Sequence, residues 1–126
     1  MSNAEFATKH WPEELTVHKA DKTLEVKFTD GTTYTYPAEY LRVESPSAEV
    51  QGHSADEKIT LGGKRNVGIV DLQAVGNYAV QIVFDDFHDS GLFTWDYLYT
   101  LGRDHDTIWG AYLSELEKQG LSRDPE

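Results

Sequence analysis

The chain has 126 residues, with 22 acidic against 11 basic side chains, a net charge of −11 and no cysteine. That length builds one core, and the acidic balance disfavours nucleic-acid phosphates and anionic membrane surfaces as partners. Lack of cysteine removes disulfides, thiolate nucleophiles and every cysteine-ligated zinc or iron–sulfur centre.

In chain order, residues 1–13 show no periodicity and are expected to form a flexible lead-in, with a single domain over 14–123. MSNAEFATKHW has no signal-peptide apolar region, and no apolar run reaches the roughly 18 residues of a membrane span. A soluble, cytoplasmic protein is expected. LTVHK is a short strand, and TLEVKF places Leu24, Val26 and Phe28 on one face and Glu25 and Lys27 on the other. Asp30 and Gly31 supply a hairpin turn, TTYTY returns with Tyr34 and Tyr36 on one face, and Pro37 opens a helical turn ending near Arg42. RVESPSAEVQGH (42–53) then has neither strand alternation nor helical period.

After a Gly62-Gly63 turn, VGIVDLQAV is a strand and Gly76-Asn77 connects it to YAVQIVF, whose Val80, Ile82 and Phe84 face inward. DDFHDSG turns, LFTW returns and WDYLYTL begins a helix. The halves share strand, acidic turn, aromatic return strand and an acid-Tyr-Leu helix start, which suggests two ββα-like units. Ile108, Trp109, Tyr112, Leu113 and Leu116 mark one face of a last helix, with Asp104 or Asp106 as its cap and Gly120 as its stop. The predicted class is α+β: about six mainly antiparallel strands with C-terminal helices packed on the sheet.

Few residues advertise chemistry. Asp85, Asp86, His88 and Asp89 crowd carboxylates around an imidazole, which suits either a solvated turn or a metal site completed by His53. His10, His18 and His105 are read as surface residues. Ser45, Ser47 and Ser54 lie near His53, but sequence proximity is a weak sign of a nucleophile–base pair. Lys58, Lys64 and Arg65 are read as a solvated basic loop. No phosphate-cradling glycine loop, nucleophile elbow or His-Glu-x-x-His helix is present.

Leu41-Arg42, Ser45-Pro46-Ser47-Ala48-Glu49, Gly52-His53, Val75-Gly76-Asn77-Tyr78 and His88-x-Ser90-Gly91 occur in one order that resembles the gamma-butyrobetaine-hydroxylase-like N-terminal domain family. The resemblance spans roughly residues 13–123. It implies either a stand-alone bacterial protein of undefined function, the leading domain of a 2-oxoglutarate-dependent hydroxylase, or a tail on an iron–sulfur assembly ATPase. In the hydroxylases the corresponding loop is a three-cysteine zinc knuckle completed by a histidine of the acidic hairpin. Those positions correspond here to Ser45, Ser47, Val50 and His88. Serine ionises too weakly to replace a thiolate and valine has no donor, so the resemblance implies a zinc-site frame without its ligands. The oxygenase chemistry does not transfer, because its iron ligands belong to a separate domain. Stand-alone members mostly carry glycine where this chain has Phe87.

The expectation is therefore a non-enzymatic protein-binding or adaptor module without a cofactor. Its partner surface is assigned to Arg42, Glu49, His53, Phe87, His88, Phe93 and Trp95, with a link to iron–sulfur assembly suggested by family fusions. Arg42 is expected to pair with Glu49 or an acid of the 85–89 turn. The alternative is a zinc- or iron-binding protein or metal-dependent enzyme using His53, Asp86, His88 and Asp89. A homo-oligomer joined through the LTVHK edge is also open.

Overall fold

The computed structural model describes residues 8–52 and 58–125. Two three-stranded antiparallel sheets and four helices are built from them. The first sheet orders β1 (Pro12–His18), β2 (Thr23–Phe28) and β3 (Thr33–Pro37) consecutively, and the second orders β4 (Ile69–Val75), β5 (Ala79–Phe84) and β6 (Leu92–Thr94) likewise. Helices α1 (Ala38–Val43) and α2 (Ala48–Gln51) follow the first sheet, and α3 (Trp95–Arg103) and α4 (His105–Gln119) the second. The fold is α+β, with each unit a three-strand meander leading into a helix. β1 starts inside the expected lead-in, and just before it the Lys9 and His10 amides donate to the Asp96 carboxylate.

The strands follow from local chemistry. Leu24, Val26 and Phe28 alternate inward and are fully buried, as are Ile82 and Phe84 on β5. Gly31 turns β2 into β3 at a φ of 88°, which costs a residue without Cβ nothing. All these side chains enter one core shared by both sheets. α1 is buried on every side, including Glu39 and Arg42. Glu39 is tolerated there because Arg123 grips it with two bonds, Nε to Oε2 at 2.9 Å and Nη2 to Oε1 at 2.7 Å. Gly120 ends α4 in the left-handed region.

The two units repeat more closely than their sequences do. Each first hairpin carries one register shift, between Pro12 and Glu14 opposite Phe28 and between Ile69 and Asp71 opposite Phe84. Their helices then bond reciprocally. Tyr40 Oη donates to the Leu101 carbonyl at 2.7 Å, and Tyr97 Oη to the Glu44 carbonyl at 2.5 Å. Each tyrosine thus reaches the residue four places after the other tyrosine. Such a reciprocal pair is the contact pattern of an approximate two-fold. One residue further on, the same relation sets Ser45 against Gly91 and Gly102 against Tyr34. Burial raises both phenol pKa values far above the ordinary range, so both groups remain donors. Tyr40→Phe and Tyr97→Phe are each expected to cost about 1–2 kcal/mol, because each leaves a carbonyl without its donor. Urea midpoints of the two variants measure it; a cost confined to one of them would show that only one bond contributes.

The six expected antiparallel strands divide into two sheets of three, one per unit, and several local expectations change. Stretch 42–53 contains a helical turn, α2, whose Ser47 cap accepts from the Glu49 amide. Leu113 is 39% exposed, so the buried face of α4 rests on Tyr112 and Leu116. Asp104 occupies the α4 cap position, but its carboxylate accepts from Arg103 instead of capping. Among the described residues, no helix is long and apolar enough to cross a membrane.

Candidate functional site

α1 ends at Val43, and the chain at once wraps across the β5–β6 hairpin. Gly91 allows this, since a Cβ there would overlap Ser45 Oγ and come within 3.1 Å of Pro46. The loop and hairpin are joined by a closed ring of side chains. Ser45 Oγ lies 2.9 Å from His88 Nε2, and His88 Nδ1 lies 3.0 Å from Glu49 Oε2. Ser90 Oγ donates to the same Glu49 oxygen at 3.1 Å and lies 2.7 Å from Ser47 Oγ. The Ser47 amide donates back to Ser45 Oγ at 3.3 Å. One proton arrangement satisfies every member. His88 is neutral with its proton on Nδ1, Ser45 donates to Nε2, and Ser47 donates to Ser90.

A second set of charges braces the ring. Asp86 Oδ2 accepts from Arg42 Nε at 2.8 Å and from Lys64 Nζ at 2.6 Å, while its Oδ1 accepts from the His88 amide at 3.2 Å. Burial alone would raise the Asp86 carboxyl, but the bonds from Lys64 and Arg42 outweigh it and hold the pKa low. Arg42 Nη1 is buried without a partner among the described residues. The basic trio is thus spent on three carboxylates, Lys58 on Glu44, Lys64 on Asp86 and Arg65 on Asp124.

Ser45, His88 and Glu49 have the connectivity of a nucleophile, its base and the acid that orients the base. Ser45 is 0% exposed, however, so no substrate reaches its Oγ in this conformation. The arrangement crosslinks the loop to the hairpin. It does not fit a zinc ion either. The His88 lone pair is taken by Ser45 at hydrogen-bond distance, Ser47 is engaged with Ser90, and Val50 is buried without a donor. Among the described residues no three of His, Cys, Asp and Glu converge as metal ligands. Asp89 is exposed, Asp85 faces Gly68, and His53 and Ser54 lie outside the described residues.

The geometry has a pH signature. Burial, aided by the Arg42 charge, lowers the His88 pKa below its ordinary 6.5, against the opposing pull of Glu49 and Asp86. The unfolded chain therefore binds that proton more readily. The stabilisation is complete above pH 6.5 and lost as the pH falls from there towards the lowered folded value. Asp86 adds stability that disappears only below its ordinary 3.8. Glu44, raised mainly by burial, has the opposite sign and relieves the fold in acid. Urea midpoints are expected to fall just below pH 6.5 in the wild type and to fall less in His88→Asn. Equal slopes in the two proteins would assign the effect to other groups.

The comparisons with known proteins agree with this architecture. The family model described as "Gamma-butyrobetaine hydroxylase-like, N-terminal" matches residues 15–99, a span that runs from β1 into α3 and includes the whole ring. The chain belongs to that family. One NMR solution structure of a protein shares 50% identity, with a TM-score of 0.82 and 94% of each chain covered. Another NMR solution structure is 39% identical, covering 94% of this chain and 89% of that one, with a TM-score of 0.81. A crystal structure from Acidithiobacillus ferrooxidans ATCC 23270, a protein with unknown function in the DUF971 family, is 38% identical. It covers 72% of this chain and 91% of its own, with a TM-score of 0.61. No curated protein matches.

Within this family frame, two members of the surface assigned from sequence are corrected. Phe93 is 0% and Trp95 7% exposed. Phe93 pairs with Val80 across β5–β6, and Trp95 Nε1 donates to the Asn77 carbonyl, so both belong to the core. Arg42 and His88 are also buried and act behind the surface. Sequence reasoning missed Ser90 and Lys64 as site members. Ser90 was within reach, since it lies in the quoted His-x-Ser-Gly turn; Lys64 had no local signal. Phe87, in contrast, is 94% exposed at a φ of 71°.

Proposed function

We propose that the protein is a non-enzymatic cytoplasmic binding module that engages a protein partner through the tip of the 85–91 turn and the adjoining α2. Phe87 carries this reading. An almost fully exposed aromatic side chain in the left-handed backbone region is costly twice over, in strain and in hydration. The ring beneath it immobilises the turn, so Phe87 is presented as a pre-organised anchor. Glu49, Asp85 and Asp89 surround it with exposed carboxylates, which suits a partner with basic residues around an apolar pocket. An iron–sulfur assembly factor is the partner class drawn from family fusions.

Phe87→Gly is the deciding variant. Relief of the backbone strain is expected to raise stability by about 1 kcal/mol, while partner affinity falls. Partners captured from the native cell on wild-type protein are then titrated by calorimetry against Phe87→Gly and Glu49→Lys. A partner bound equally by the wild type and both variants sinks this assignment.

A further inference from the structure

A cavity of about 630 Å³ lies between the end of α1, one face of α4 and the segment at 58–60. Its size is that of a small-molecule site. The walls are held in place. Tyr112 Oη donates to the Leu61 carbonyl at 2.6 Å, the Ile59 amide to the Val50 carbonyl at 2.7 Å, and Tyr97 to the Glu44 carbonyl. Ile59, Ile108 and Tyr112 give an apolar lining, and Gln119 bonds Thr60 across the mouth at 3.2 Å.

The cavity also holds a carboxylate. Glu44 has a side chain only 5% exposed, and among the described residues that side chain bonds only Lys58, whose Nζ donates to Oε1 at 2.7 Å. Lys58 comes from the solvent side, with its own side chain 40% exposed. A buried carboxylate without a cation is expensive, so an ammonium is the group this floor selects. An anion would be repelled, and a neutral molecule cannot take the place of Lys58, so only another cation can exchange with it on Glu44. The protein displays the complementary group itself, because Lys58 is an alkylammonium reaching Glu44 from the rim. A net charge of −11 further enriches small cations near the surface.

We infer that this cavity binds a small aliphatic primary amine, whose ammonium replaces Lys58 on Glu44 while its alkyl chain lies along Ile59, Ile108 and Tyr112. Lys58 then acts as a tethered competitor that keeps Glu44 compensated while the site is free and swings into water when it fills. This inference does not rest on the Phe87 surface and survives its failure.

Pentylamine, pentanol and pentanoate are titrated into the full chain, with amide shifts followed at Ile59, Thr107, Ala111 and Tyr112. Saturable shifts with pentylamine alone are expected. Lys58→Met should tighten binding roughly fivefold by removing the competitor, and should give a larger rise in melting temperature with pentylamine than the wild type. Glu44→Gln, which relieves a buried charge and so keeps the fold, should abolish the response. Equal shifts with pentanol, an undiminished response in Glu44→Gln, or unsaturable shifts spread over Asp106 and Glu117 would each overturn the assignment. Binding of a lysine-bearing peptide without any response to pentylamine would also overturn it, in favour of a protein partner.

Discussion

Adding one methyl group at Gly91 is expected to destabilise the protein by about 2–3 kcal/mol, as is adding one at Gly102, although the two lie in different elements. At Gly91 the new carbon overlaps Ser45 Oγ, whose hydroxyl is already committed to His88, and crowds Pro46 at 3.1 Å. The loop must lift from the hairpin, and the ring opens with it. At Gly102 the new carbon meets Cγ and Cδ2 of Tyr34. Tyr34 is half-buried and wedged edge-on among Phe28, Tyr36 and Tyr99, so it can move aside only by giving up those ring contacts. Gly102 sits inside α3, where helix propensity by itself favours alanine by about 1 kcal/mol, so the expected loss is steric. Gly110 supplies the control. It is exposed in α4 with nothing within 4 Å of an added Cβ, and Gly110→Ala is expected to stabilise by about 0.5–1 kcal/mol. Urea denaturation of the three variants tests the set. A stabilised Gly91→Ala or Gly102→Ala would mean that the contact across the approximate two-fold is looser than described.

His88→Ala is expected to cost about 2–4 kcal/mol, more than Ser45→Ala at about 1–2 kcal/mol. The ring explains the order. Loss of the imidazole removes the bonds to Ser45 and Glu49 together and leaves a cavity against Phe84, whose ring centroid lies 6.1 Å from that of His88. Loss of the Ser45 hydroxyl leaves Glu49, Ser90 and Ser47 connected and orphans only Nε2 and one amide. Amide exchange should accelerate in α2 and the 85–91 turn of His88→Ala before it does in β2 or β5, because the crosslink lies at the edge of the core. Exchange that rises uniformly over the chain would show instead that the ring unfolds only with the whole domain.

The sequence by itself determined the local elements. Period-two burial gave β2 and β5 with their inward residues, Asp30-Gly31 and Gly76-Asn77 placed two turns, and Gly120 ended the last helix. Each depends on neighbours within a few positions, which is the range over which propensity and periodicity act. The ordered motifs around Ser45 and His88 also pointed to a loop lying against a hairpin. Tertiary structure alone decided the partners. Ser45 and His88 are 43 positions apart, and Glu44 acquires both its burial and its lysine from the packing of α1, α4 and the segment after 57. Alternation showed that Phe93 shares a face with its neighbours, but not that this face is covered. Coverage comes from the other sheet's core residues and α3, so an aromatic side chain that looked available became buried. Phe87 shows the converse. Its sequence context is an ordinary acidic turn, and only the backbone conformation, left-handed above a locked ring, makes its exposure informative.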